Sequence, residues 1–465
     1  MGGGALRSIR AVQWGVPILL WCALLLIAIS FIPHLRSRAI RNDFAVYYVA
    51  ALELRSGVDP YATDFAQSAL DRGFKIRQVS RSTEPPSFLL LFEPLTRFSP
   101  VTAFWIWQTI NLASLATALI LLLGPTLGLS GPLVWTLAGL AFAYPAVLSH
   151  VWYGQSKLPL LLMMVVIARL MRRGSDGAAG LILAFAGLVR IYPFVVAGYF
   201  LLERRWRALI FMGVGTAFGG LVTLALVGPS NCLSFVHGLS FYVSNGQWIT
   251  NSLGVSKSGD NAPLAFAMRL LHEFGLAPNG VSGTAEHALL VAIDLVLLGL
   301  TVQATLLHPV DDQCDLPIFS LWVVTAIVMP PVSWDYDMTL LLLPFACLAA
   351  AASQGTATPR AIGMAAASYV LIGIWRFSGI GDAQEVTGAS AILLKETASL
   401  SLLAAYLAAY WFAADGGTQK LTGLLDVPRV AWQRSFEPRE RMLSASVARV
   451  SSISKGRVQF PRTKQ

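Results

Sequence analysis

Apolar runs, each about the length needed to cross a lipid bilayer, recur through most of this 465-residue chain. A helix needs about 20 predominantly apolar residues to span the hydrocarbon core. The first run extends from Trp14 to Pro33, behind Arg7 and Arg10. Eleven more follow, over 98–123, 132–148, 155–171, 177–189, 191–203, 207–228, 285–307, 316–330, 337–353, 360–377 and 389–414. Together they predict an all-α polytopic membrane protein with about 12 transmembrane helices. Composition rules out the soluble alternative. Only 13% of the residues are charged and mean hydropathy is +0.62, whereas a soluble domain carries about 25% charged residues on a surface that must face water.

The first run is long and lacks a small-x-small cleavage site, so it is expected to be a retained helix rather than a signal peptide. The pair 177–189 and 191–203 is unusual. Each member is short, and Arg190, Tyr192 and Pro193 lie between them. Arg172 and Arg173 precede the pair, and Arg204, Arg205 and Arg207 follow it. Two short helices meeting within the membrane would keep both arginine clusters on the cytoplasmic side, in accord with the positive-inside bias.

This topology puts residues 1–415 in one membrane unit with both termini in the cytoplasm. Three segments lie outside: 34–97, 229–284 and the turn from Ser333 to Asp337. Residues 416–465 hold ten Lys/Arg against three Asp/Glu, +7 of the chain's net +9. They read as a largely disordered basic tail that meets anionic membrane lipid rather than nucleic acid. Cys22, Cys232, Cys314 and Cys347 are scattered, and only Cys232 falls in an external loop, so no external disulfide is expected. His150, His237 and His272 lack metal-ligand spacing, so no metal is expected. Asp294, inside the 285–307 span, is expected to pair with a buried basic residue.

The first external loop holds the richest pattern. Asn42 or Asp43 can cap a helix ending at Gly57, with Phe44, Tyr47, Tyr48, Ala51, Leu52 and Leu54 at helical spacing. Such a helix is expected to lie along the membrane surface. Asp59-Pro60-Tyr61 then makes a turn before a second short helix ending near Gly73. Glu84-Pro85-Pro86-Ser87 opens an apolar, proline-punctuated stretch to Pro94 that is too short to span and packs back toward the same external cavity.

The Asp43-Phe44 start, the paired tyrosines, Gly57-x-Asp59-Pro60-Tyr61 and Pro85-Pro86 with Pro94 resemble glycosyltransferase family 87. The likeness continues through Tyr144-Pro145, Gly154-Gln155 and the stretch from Gly180 through Arg190 and Pro193 to Arg204-Arg205-Trp206-Arg207. It resumes at Asn251-Ser252-Leu253 and Pro331-Val332-Ser333-Trp334-Asp335, so it covers about Asp43 to Pro344. Three places depart from the family pattern, four residues in all. Lys157 stands where Asn is usual, Tyr336-Asp337 where His-His is common, and Arg190 where a lysine is usual.

The resemblance implies a GT-C-type bundle in the inner (plasma) membrane of a bacterium. It also implies an enzyme that moves a hexose, in many members mannose, from a polyprenyl-phosphate donor to a hydroxyl of a glycan or lipid acceptor on the external face, without a cofactor. Such a hydroxyl needs a carboxylate within hydrogen-bond reach to take its proton. Position and resemblance together put Asp43 in that role. The departing phosphate needs positive charge rather than an acid, for which Lys157, Arg190 and Arg376 are candidates. Attack on the face opposite the phosphate inverts the anomeric centre. Tyr47, Tyr48, Asp59, Tyr61, Gln155, Asn251, Trp334 and Asp335 complete the substrate-binding candidates; Asp335 and Asp337 can also cap the helix that follows them. Trp248 and Tyr242 read as interfacial belt residues. A transporter or flippase of lipid-linked saccharide remains the alternative function, although no inverted repeat of the kind many transporters show is evident. An inactive scaffold descended from the enzyme remains the third.

Overall fold

With no water to satisfy the backbone inside a bilayer, an apolar chain must close its hydrogen bonds within each segment, and the apolar runs fold as helices. The computed structural model describes residues 3–61, 65–76, 82–245, 261–274, 276, 283–307, 315–377 and 396–414. All belong to the first of the chain's two units, Met1–Thr418. Asn251, Trp248, Cys314 and the basic tail lie outside the described residues. Helix accounts for 84% of the structure, and the described residues contain no strand.

The first half comprises α1 (Gly3–Leu35), α2 (Asp43–Arg55), α3 (Phe65–Asp71), α4 (Pro86–Phe92), α5 (Pro100–Leu121), α6 (Pro132–Ala143), α7 (Pro145–Tyr153), α8 (Lys157–Arg172) and α9 (Asp176–Val189). The second comprises α10 (Ala197–Leu202), α11 (Trp206–Val227), α12 (Pro229–Asn245), α13 (Pro263–Glu273), α14 (Gly283–Leu307), α15 (Leu316–Val328), α16 (Leu342–Ser353), α17 (Pro359–Phe377) and α18 (Thr397–Ala414). Helix starts follow local chemistry. Ser99 accepts from the Thr102 amide with Pro100 in the first turn of α5, and Asp315 caps α15 through the Ile318 amide at 3.1 Å.

Among the described residues six helical runs are long and apolar enough to cross a membrane, seven if α6 and α7, bent by 49° at Tyr144, form one broken span. The chain is thus a multi-pass membrane protein. The remaining runs of the expected twelve are shorter or less apolar; α9 and α15 have 14 and 13 residues. The α9–α10 region is a broken pair, with Arg190 in extended conformation between α9 and a 3-10 turn at Tyr192–Val196.

Packing separates core from lipid-facing helices. Every residue of α15 is buried, as expected of a helix that is apolar all round. On α11 only Ala208, Thr223 and Val227 are buried, while Phe218, Leu221 and Leu226 stand about two-thirds exposed, a face suited to lipid tails. Asp294 on α14 differs from expectation: its Oδ1 is buried with no hydrogen-bond partner and no basic residue pairs with it among the described residues.

Helix α2 also differs from the surface helix expected. Phe44 to Ala51 and Glu53 are all buried, because this stretch carries no charge before Glu53 and so has no polar face to offer water. It ends as expected, with Gly57 at φ +74° and the Val58 amide reaching back to the Glu53 carbonyl at 2.9 Å.

Close approach of α9 to α11 depends on Gly180, where an added Cβ would come within 2.0 Å of the Ala208 carbonyl oxygen. Gly180→Ala is expected to cost about 1–3 kcal/mol through overpacking, read as a lowered thermal midpoint in detergent; an unchanged midpoint would contradict this packing.

Candidate active site

Asp43 opens α2, yet neither it nor Asn42 caps the helix through its side chain. Asn42 instead donates to the Trp152 carbonyl at 2.7 Å, tying the start of α2 to the end of α7. The Asp43 carboxylate accepts from the Gln155 side-chain amide through Oδ2. Gln155 sits in the connection between α7 and α8, and Gly154 lets α2 come this close. Gly154 is left-handed, and a Cβ there would lie 2.7 Å from the Phe44 Cβ.

That connection is held from α5. Trp107 Nε1 donates to the Gly154 and Gln155 carbonyls at 2.8 and 3.1 Å, Asn111 to the Gln155 carbonyl at 3.0 Å, and Gln108 to the Val151 carbonyl at 2.6 Å. His150, buried, accepts the Lys157 and Leu158 amides on Nε2 at 2.9 and 3.2 Å. It thereby caps α8, whose first amides would otherwise be unsatisfied.

From Asp43 a single chain of hydrogen bonds leads to a buried ion pair. Arg190 Nη2 donates to the Tyr47 oxygen at 2.7 Å, Tyr47 donates to Gln155 Oε1 at 2.5 Å, and Gln155 donates to Asp43. The direction is forced: an ionised carboxylate only accepts and a guanidinium only donates. The other nitrogens of Arg190 are also taken, Nη1 by Glu84 at 2.5 Å and Nε by Ser156 at 3.2 Å.

Glu84 is placed by the Gly57–Tyr61 turn. Asp59 Oδ1 accepts the Tyr61 amide at 2.8 Å, as in an Asx-turn, and the Tyr61 hydroxyl donates to the Glu84 carbonyl at 2.8 Å. Ser87, in the first turn of α4, donates to the Leu188 carbonyl at 2.5 Å, drawing Glu84 toward Arg190.

The second ion pair joins Lys157 Nζ to Asp337 Oδ1 at 2.6 Å, both side chains less than a tenth exposed. Asp337 Oδ2 accepts the Trp334 amide at 2.9 Å, capping a 3-10 turn over Asp335–Leu341. The Lys157 ammonium lies 5.1 Å from the Tyr192 ring and 5.9 Å from the Tyr336 ring. Tyr336 connects the two halves, with its hydroxyl beside Asp43 and its ring against Trp334. Asp335 is buried beside Ser149, with Arg376 the cation facing it.

The structure thus brings Asp43, Tyr47, Gln155 and Arg190 into one network and sets Lys157, Trp334 and Asp335 next to it. Asp59 and Tyr61 act one step back, by placing Glu84. Tyr48 is turned away, its hydroxyl donating to the Phe98 carbonyl at 2.8 Å, because neighbours on a helix point about 100° apart. Four partners escaped the sequence: Glu84, Ser156, Tyr336 and Asp337. Glu84 carried a usable signal, a lone carboxylate entering an apolar stretch, since intramembrane charges are paired or functional. Among the described residues no group of three or more His, Cys, Asp or Glu converges as a metal site would require.

A multi-helix membrane protein with buried carboxylates and cations gathered at one end of its bundle has the makings of a membrane-embedded enzyme. The chain belongs to glycosyltransferase family 87, whose model matches residues 83–333, more than half of the sequence, and it is therefore a membrane glycosyltransferase. Comparison with curated proteins and with solved structures finds no match. The matched region includes Glu84, Gln155, Lys157 and Arg190 and excludes Asp43 and Trp334–Asp337, which the fold brings to the same residues.

Tyr47→Phe removes the hydroxyl that joins Arg190 to Gln155. Transfer is expected to fall by about ten- to a hundredfold through misplacement of Asp43, with the thermal midpoint little changed because the ring packing of Tyr47 against Phe88 and Phe92 survives. Undiminished transfer would show that the chain does not position Asp43.

Proposed function

We propose that this glycosyltransferase moves a hexose, mannose by family likeness, from a polyprenyl-phosphate donor to an acceptor hydroxyl, with Asp43 as the base. The observation that carries this reading is the state of Asp43. Glu84 and Asp337 are committed to ion pairs, whereas Asp43 is in none among the described residues. It is held by neutral donors, and a carboxylate with about four lone-pair positions keeps capacity for one more hydrogen.

The acceptor oxygen attacks the anomeric carbon as its proton passes to Asp43. The bond from that carbon to the phosphate oxygen breaks, and the electron pair leaves with the phosphate, which needs only positive charge to depart. Attack opposite the leaving group converts a β-linked donor into an α-linked product.

Placement on the external face is supported by α8. Lys157 opens this helix and Arg169 and Arg172 close it, so about 24 Å of helix separate the site from the arginine cluster. Asp176 pairs with Arg205 at 3.0 Å at the start of α9, while Arg190 follows the end of that helix. The arginine-rich end is the cytoplasmic one by the positive-inside bias, and the site faces outward, with both termini inside. The GT-C arrangement, in which the shorter helices complete about 12 passes, belongs to the same reading, as does an inner-membrane location.

Purified protein given a polyprenyl-phosphate mannose and a panel of glycan and lipid acceptors is expected to release polyprenyl phosphate and form an α-linked product. Asp43→Asn is expected to lose about 10²–10⁴-fold of that rate. Equal transfer by both proteins removes Asp43 as the base, and lipid movement without bond formation favours the flippase alternative.

A further inference from the structure

Three cations lie near the site, and the hydrogen-bond inventory separates them. Each of the three nitrogens of Arg190 already holds a partner: Glu84, Tyr47 and Ser156. Two of its five hydrogens stay uncommitted, but the guanidinium is held at all three nitrogens, so turning toward an anion would strain the pair with Glu84 and the chain to Asp43. Arg376 sits at the last turn of α17, half-buried, and faces Asp335.

Lys157 is different. An ammonium has three hydrogens to give, and the only acceptor it meets among the described residues is Asp337. Beyond Asp337 it meets the tyrosine rings of Tyr192 and Tyr336, at 5.1 and 5.9 Å, contacts weak enough to yield to an anion. Its base is immobile, because the Lys157 amide is fixed to His150. Asp337 is immobile too, because its second oxygen holds the Trp334 amide. The pair is therefore an oriented ammonium with unspent donors, and Tyr336 bridges it to Asp43.

We propose that Lys157 binds the phosphate of the donor, keeping one hydrogen on Asp337 and turning the others to the phosphate oxygens, while Arg190 positions Asp43 and never touches substrate. This rests on the polyprenyl-phosphate reading above. Asp337 is a positioning residue: it aims the ammonium and lowers the net charge of the seat.

The probe is a short-chain polyprenyl phosphate, the sugar-free product, compared with the corresponding polyprenol on the full chain in lipid nanodiscs. Lys157→Gln alone leaves a buried carboxylate unpaired and risks misfolding, so the main variant is Lys157→Gln/Asp337→Asn, in which two neutral amides replace the ion pair. It is expected to keep a thermal midpoint near that of the wild type and to lose at least about tenfold in affinity for the phosphate, with the polyprenol unaffected. Asp337→Asn alone keeps the ammonium and removes its counter-charge, so phosphate binding is expected to hold or tighten, whereas a purely structural role would weaken it. The proposal is overturned if the double variant binds the phosphate as the wild type does. It is equally overturned if Asp337→Asn loses as much as the double variant, or if Arg376→Gln abolishes binding while the double variant does not. A wild type that does not prefer the phosphate over the polyprenol sinks the donor reading itself, a result distinct from any of these.

Discussion

A guanidinium inside an apolar bundle must be paired, and the rest of the site is arranged around the pairing of Arg190 with Glu84. Removing one partner of a buried ion pair typically costs about 3–5 kcal/mol because it leaves a bare charge in a low dielectric. The surroundings therefore act together to keep the two side chains in contact. The Asp59–Tyr61 turn holds the Glu84 backbone, Ser87 draws α4 to the end of α9, and the break between α9 and the following 3-10 turn lets Arg190 extend away from a helix axis. A buried pair of this kind adds little net stability compared with apolar packing. What it supplies here is orientation, because its remaining donors run through Tyr47 and Gln155 to Asp43.

The second pair explains how two further charges can be buried in the same bundle. Either alone would bury an unmatched charge: a lysine at the start of α8, or an aspartate in the turn before Met338. Together they neutralise each other at 2.6 Å. Tyr336 links this pair to Asp43, since its ring borders Lys157 while its hydroxyl lies beside Asp43.

Periodicity and charge spacing foretold the helices, the end of α2 at Gly57, and the interruption at Arg190. The family resemblance, together with position and charge placement, singled out Asp43, Tyr47, Gln155, Lys157 and Arg190, which lie together or adjacent in the fold. Tyr48 illustrates what such patterns miss. It has the same residue type as its neighbour and the same local context, yet one faces the network and the other the start of α5. The burial of α2 was missed for a related reason. A short helix with an acidic start resembles an interfacial helix until the aromatic residues of α4 and α5 are placed against it.

The sequence by itself determined that this chain is a multi-pass helical membrane protein, because too few charges are available to solvate any other fold. It also marked the residues most costly to bury, since a charge in an apolar run needs a partner. Only the tertiary structure decided which partner each one has. Glu84 and Arg190 are 106 positions apart in the chain, and Lys157 and Asp337 are 180 apart. No local pattern encodes such a pairing; it arises where helix packing brings distant helix ends to the same level of the bundle, and that is where Asp43 stands.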